Sequence, residues 1–363
     1  MLILLRRKAR SALWRLKHDI VPYLTMRIRG ELGYRLGFRM GTLRGWRPAN
    51  SREIVWAIRG NGPGEPRLLV ARFKNAYVYR DESIVISADY RLVSDISTPP
   101  SRRVRDHDVL GLGRLPDPVR FSGNVATVNA SMFDDFYHWM LETVPRFGLL
   151  EDSGVAIDKF MVSTDLKFQA ECLQVLGIVP DRTVCPKSSQ MLVVDDLIAP
   201  SIVGLHGIPT RYSVQYLPRM FARHLNAAAP SRRIYITRAD ALARRVVNEA
   251  ALVTALAPFG FEVVRLSELP LTEQARTFSE AEIVIGPHGA GMTHVVFQQP
   301  QSRGMIEFMP ETYSHECFRM ICDITGTPYR RIVSRTRDPA VHDIEVDVAR
   351  MIDSVREALN LQP

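Results

Sequence analysis

The chain has 363 residues, 46% apolar and 24% charged. That is the balance of an ordinary globular protein, long enough for two domains, and it excludes collagenous, low-complexity and disordered classes. The formal charge of +8 is unevenly spread: residues 1–50 hold twelve Lys or Arg against two acids, a net +10, so the remaining 313 residues sum to −2. A near-neutral body argues against nucleic-acid binding by the folded part, which needs basic residues across its surface.

The basic arm comes first. Its apolar run, Met1 to Leu5, is too short for a signal-peptide core, and the charges follow it rather than precede it. No stretch reaches the roughly 18 charge-free apolar residues of a spanning helix. Within 3–20, Ile3, Leu13, Trp14, Leu16 and Ile20 alternate with Lys and Arg. A basic amphipathic segment of this kind suits an anionic membrane surface; a solvated structural arm and a nucleic-acid-binding arm are the competing readings.

Residues 51–120 are rich in β-branched and aromatic residues in short runs, with Asp81 and Glu82 between two of them as a hairpin turn. "NVATVN" predicts a strand at 124–129. The following "DDFYHWMLETVPRFGLLE" has helical spacing, with Pro145 predicted to kink or restart it. Strand "KFMVST", helix "FQAECLQVLGI" and strand "QMLVVDDLIAP" complete an alternating α/β layer. Around 200–230 the pattern breaks, which places a domain boundary there. From Arg233 strands and helices alternate regularly: "RIYIT", "NEAALVTALAPFG", "FEVVRL", "LTEQARTFSEA", "EIVIGP", "GMTHVVFQQP", "GMIEFMP", "HECFRMICDITG" and "YRRIV". Five strands with helical crossovers are the doubly wound arrangement. A last helix, "VDVARMIDSVREAL", follows. The four cysteines, Cys172, Cys185, Cys317 and Cys322, form no CxxC pair and read as reduced thiols.

Several residues carry candidate chemistry. In "IVIGPHGAGMTHVVF" the turn His288, Gly289, Ala290, Gly291 lies between a strand end and the next helix start. Gly289 and Gly291 permit close backbone approach, and a helix start suits a phosphate or diphosphate. An ordinary tight βα turn is the plainer alternative. Glu307, in the otherwise apolar strand "MIEFMP", needs a partner there, and an acid at such a strand end commonly grips ribose hydroxyls. Arg238, Arg244 and Arg245 cluster after the first strand of the second half, where guanidinium groups suit phosphate; a solvated basic loop would look the same. His138 and Glu142, four apart, share a helix face and form a plausible general-base pair, although such pairs are often structural.

Taken together, "RRIYITRADALARRVVNE", "GFEVVRLSELPLTEQARTFSEAEIVIGPHGAGMTHVVF", "MIEFMP" and "FYHWMLETVPR" resemble glycosyltransferase family 61, over about residues 120–335. The resemblance implies an α/β, GT-B-like architecture: two Rossmann-like domains facing a cleft, with the basic N-terminal helical arm at 1–50. The expected domains are 51–215 on the acceptor side, 216–340 for the nucleotide sugar, and a C-terminal helix, 341–363, packing back on the first domain. It further implies an inverting transfer from a nucleotide sugar, UDP-linked as in the relatives, to a glycan or lipid-linked acceptor. By position, His138 and Glu142 match the first-half signature and supply the base. Arg238, Arg244, Asn248, Glu249, His288, Gly289, Ala290, Gly291 and Glu307 match the donor-binding residues. Asp135 and Glu142 stand where relatives tend to have Asn and Asp, which leaves the choice of base open.

No metal ligand set is expected, nor any cofactor, because "VDDL" lacks the DxD spacing; arginines and a helix start would then neutralise the leaving group. The expected setting is surface or capsular polysaccharide synthesis at the cytoplasmic face, with residues 1–45 on the anionic membrane. The alternatives are a non-catalytic glycan- or nucleotide-binding protein and a nicotinamide-dependent oxidoreductase. The latter lacks its fingerprint, since "YITRADALA" has no GxGxxG.

Overall fold

A computed structural model describes residues 53–58, 66–97, 107, 109, 115–187, 190–204 and 207–361. The arm at 1–50 lies outside them. The described residues form two compact units. The first takes those up to 130 together with 149–163 and 181–204; the second takes 131–148, 164–180 and 207–361. The units are therefore interleaved along the chain, whereas the sequence predicts consecutive domains meeting at 215/216.

The first unit is built on one mixed sheet. Its strands are β1 (Glu53–Ile58), β2 (Leu68–Tyr79), β3 (Ile84–Ile86), β4 (Val119–Thr127), β5 (Lys159–Met161), β6 (Thr183–Val184) and β7 (Met191–Pro200). The order is β1-β2-β7-β4-β5-β6, with β3 on β2. β4, β5 and β6 run parallel and β4 is parallel to β7, but β2 pairs antiparallel with β1, β3 and β7. Asp81 and Glu82 lie in the β2–β3 turn, as their position between apolar runs predicts. The antiparallel half makes this sheet mixed, with its parallel part confined to β7-β4-β5-β6. Leu69, Ala71, Phe73, Val125, Leu192, Val194 and Leu197 close its core.

The second unit carries the regular alternation read from Arg233 onward. Its strands are β8 (Arg232–Ile236), β9 (Phe261–Val264), β10 (Ala281–Pro287), β11 (Gly304–Pro310), β12 (Tyr329–Asp338) and β13 (Asp343–Glu345), in the order β13-β12-β11-β10-β8-β9. All neighbours are parallel except the edge pair β12–β13. Numbered from β8, the parallel strands follow the order 2-1-3-4-5, so the topological switch point lies between β8 and β10. A ligand crevice is expected beyond their carboxyl ends, Ile236 and Pro287. Gly260 ends the turn before β9 in the left-handed region, at φ 74°.

Aromatic packing explains the interleaving. Phe136 stacks on His294 at 5.1 Å, Tyr137 meets Phe318 at 5.9 Å, and Phe168 meets Phe136 at 5.3 Å. These contacts tie 131–148 and 164–180 to the second unit's helices. Helix Arg211–Phe221, in the stretch that reads as aperiodic, starts at a Thr210 cap and sends Phe221 onto Phe297 at 5.1 Å.

The last helix, Val348–Leu359, corrects a further expectation. It packs on its own unit: Met351, Val355, Ala358 and Leu359 join Tyr235, Leu252, Ile283 and Ile306 in one core. Met351 and Val355 are fully buried, each contributing roughly 1.5–3 kcal/mol. Among the described residues no helix is long and apolar enough to cross a membrane.

Candidate functional site

The strand ends of the second unit and the helix that begins at Phe136 meet at one cavity of about 250 Å³. His138, Arg244, His288 and Ala290 line it together with Asp135, Tyr137, Gly207, Tyr313, His315 and Phe318. The imidazole expected from the other half of the molecule thus belongs to the same compact unit as the glycine corner.

His138 is presented by an unusual helix. Asp135 caps it, its carboxylate accepting from the Tyr137 amide at 2.9 Å. After one α-turn, Trp139–Thr143 adopts π geometry before the α-helix resumes at Val144–Ser153. Pro145 has no N–H and crowds the carbonyl four residues back, so a local widening replaces the predicted kink. His138 Nδ1 lies 3.2 Å from Glu142 Oε1, and that oxygen also accepts the Gly207 amide at 2.7 Å. Burial pulls the imidazole's pKa down, but the contact with Glu142, its charge and those of Asp135 and Asp134 outweigh it and leave the pKa above its ordinary value. Arg146, one turn further on, is fully buried; burial lowers its pKa to about 10 against the opposing charge of Glu142.

Arg244 makes the opposite wall cationic, and Arg238 lies close to it, outside the cavity lining. Arg244, in the left-handed region at φ 58°, donates from Nε to the His288 carbonyl at 3.0 Å and stacks over Tyr313 at 5.3 Å. Arg238 donates to the Ala243 carbonyl at 3.1 Å, and its buried Nε meets no acceptor among the described residues. Burial and the neighbouring Arg244 charge lower its pKa to about 10. Two cations held this close, one with an unsatisfied buried donor, make an electrostatic seat for an anion. Gly289 lets that guanidinium pack against the corner: a Cβ there would lie 2.0 Å from Arg238 Nη1.

Residues 136–305 match the family model Glycosyltransferase 61. The matched segment, just under half of the chain, contains His138, Glu142, Arg238, Arg244 and the corner 288–291, and ends two residues before Glu307. The chain is also similar to the beta-1,2-xylosyltransferase RCN11 of Oryza sativa subsp. japonica, 28% identical over 95 residues. That stretch is 26% of this chain and spans 16% of the relative's length. Both comparisons support a glycosyltransferase.

Other expected site residues lie elsewhere. Asn248 is committed to the Val346 backbone at both ends of its amide, at 2.8 and 3.0 Å. Glu249 accepts from the Tyr235 and Thr237 hydroxyls, each at 2.7 Å. Arg245 turns to Asp343 at 2.6 Å, away from the expected phosphate cluster. Gly291 abuts Leu266. Glu307 is completely buried beneath His288 rather than poised for a ribose.

Sequence reasoning missed Tyr313 and His315. Both follow β11, where the strand-end rule that singles out His288 applies equally. His315 shares with His138 the space beside Gly207: Cε1 of each lies 3.7 and 3.8 Å from where a Gly207 Cβ would be. Burial first, then the charges of His288 and His138, hold its pKa below the ordinary value.

Proposed function

We propose that the chain is an inverting glycosyltransferase that moves a hexosyl or pentosyl group from a UDP-linked sugar to a glycan or lipid-linked acceptor. One observation carries this reading: His138, backed by Glu142, lines the same cavity as Arg244 and His288. In the proposed reaction the acceptor hydroxyl gives its proton to His138 and attacks the anomeric carbon. The bond from that carbon to the diphosphate oxygen breaks on the opposite face. Glu142 stabilises the imidazolium, and Arg238, Arg244 and His288 take up the charge of the departing diphosphate. A volume of about 250 Å³ is below the roughly 300–1,000 Å³ of pockets that enclose a drug-sized ligand. It suits a sugar and its diphosphate, with the nucleoside extending outward.

The reading includes a GT-B-like architecture, supported by two units that each own an α/β sheet. It also includes metal-independent turnover, supported by the two arginines at the anion seat. Turnover should continue in EDTA; a strict loss restored by manganese would contradict it. A place at the cytoplasmic face of a membrane, in surface polysaccharide synthesis, is supported by the +10 charge of residues 1–50. Deleting residues 1–45 should abolish binding to anionic liposomes.

The deciding assay incubates the full chain with a panel of nucleotide sugars and acceptors and follows release of nucleoside diphosphate. The parent should turn over at least one of them, and His138→Ala should lower kcat by roughly 10²–10⁴-fold. A parent inert towards the whole panel would favour a non-catalytic binder.

A further inference from the structure

His288 is held from behind by a chain of polar groups that the proposed reaction does not use. Its Nδ1 lies 2.5 Å from Glu307 Oε1. The other Glu307 oxygen accepts from the Tyr329 hydroxyl. Arg331 Nε donates to that hydroxyl at 3.0 Å, and its Nη1 reaches Glu316 at 2.6 Å. The topology makes the chain possible. Glu307 on β11 is in register with Arg331 on the parallel neighbour β12, and Tyr329, two residues earlier, shares the face of Arg331. The His288 backbone is clamped too: its amide donates to the Phe308 carbonyl at 2.9 Å, and its own carbonyl accepts from Arg244.

A carboxylate with no solvent exposure is costly unless every oxygen is satisfied. Here an imidazole and a phenol satisfy it. With Nδ1 engaged by a carboxylate, the neutral ring carries its proton on Nδ1 and leaves Nε2 as the nitrogen available to the cavity. Nε2 can take up a proton and donate it to a diphosphate oxygen while Nδ1 stays bonded to the carboxylate.

We propose that Tyr329 and Arg331 are positioning residues that act through Glu307 to fix the tautomer and orientation of His288, so that Nε2 meets the donor's diphosphate. The diphosphate part rests on the function proposed above; the tautomer part does not.

Long-range 1H–15N correlation spectra of the histidine side chains in the full-length protein test both parts, with His288 assigned by comparison with His288→Gln. In the parent, neutral His288 should be the Nδ1–H tautomer. In Tyr329→Phe, which removes only the hydroxyl, it should become a mixture of the two neutral tautomers. Arg331→Gln should act in the same direction, less strongly, and decides the matter if Tyr329→Phe does not fold. A folded variant of either kind whose His288 keeps the parental tautomer overturns the positioning role. Adding UDP at fixed pH should move the parental His288 signal towards the doubly protonated form. UDP binding that leaves this signal in place overturns the diphosphate contact, whereas failure to bind UDP counts against the donor reading and leaves the tautomer result to stand alone. Where turnover is measured, Tyr329→Phe should lower kcat on the order of tenfold with little change in KM, as for outer-shell partners of functional histidines.

Discussion

Glu142 Oε1 lies 3.2 Å from His138 Nδ1. The same oxygen accepts the Gly207 amide at 2.7 Å, and the Gly207 carbonyl accepts from the Tyr137 hydroxyl at 2.8 Å. One carboxylate oxygen therefore anchors both the candidate base and the loop beside it. This relationship makes His138 more than a surface histidine on a helix, because its orientation is set by a buried group that is itself fixed.

Replacing that carboxylate should be felt in the pH profile. Burial lowers the His138 pKa, and the contact with Glu142, its charge and those of Asp135 and Asp134 together outweigh it, so Glu142→Gln removes the largest opposing share and lowers the pKa. The acid limb of kcat against pH should move to lower pH, while the plateau falls by roughly 10²-fold or more. The stability effect has the opposite window. A raised histidine contributes stability that is fully present below about pH 6.5 and is lost as pH rises through the folded midpoint. The stability gap between parent and Glu142→Gln should therefore be wider at pH 6 than at pH 8.5 in urea titrations.

Two glycines should respond differently to alanine. At Gly289 the new Cβ would meet the guanidinium of Arg238, the far end of a flexible side chain, at 2.0 Å. Gly289→Ala should displace Arg238 and weaken UDP binding by roughly tenfold, the worth of one charge-assisted hydrogen bond, while the protein stays folded. At Gly304, with φ 101°, the Cβ would lie 1.9 Å from the Pro328 carbonyl oxygen, and backbone cannot swing aside. Gly304→Ala should destabilise by roughly 2–4 kcal/mol. Calorimetric titration and denaturant unfolding of both variants separate the two effects.

His294 supplies a second pH effect. It is buried among Phe136, Phe278 and Phe297, and its Nδ1 donates to the Gly291 carbonyl at 2.9 Å. Burial lowers its pKa to about 4, with the Gly291 contact opposing. A depressed histidine contributes stability that is present above its ordinary pKa and is lost as pH falls towards the folded value. Between pH 6.5 and 4 this group should account for a loss on the order of 3 kcal/mol. His294→Gln should flatten that part of the stability profile; a profile as steep as the parent's would contradict it.

The second sheet was legible because its strands are short apolar runs separated by capped helices, a local pattern. The strand-end position of His288 and Ala290 and the helical spacing that pairs His138 with Glu142 were legible for similar reasons. The interleaved units were not, because they depend on rings such as Phe136 and His294 that lie far apart in sequence. Asn248 and Glu249 look like ligand-binding residues in one dimension, yet their polar atoms meet Val346, Tyr235 and Thr237. Glu307 invited a ribose role because an acid in an apolar strand needs a partner. The partners proved to be His288 and Tyr329, and only the strand register brings Tyr329 to it.

The central claim, that one cavity combines a diphosphate seat with a base, is tested most directly by calorimetric titration of UDP into the full chain at low salt. Saturable binding is predicted for the parent, with Arg244→Ala weakening it at least roughly tenfold through loss of a cation beside Arg238. Undetectable binding to the parent, or an Arg244→Ala variant that binds UDP as tightly, would contradict the account.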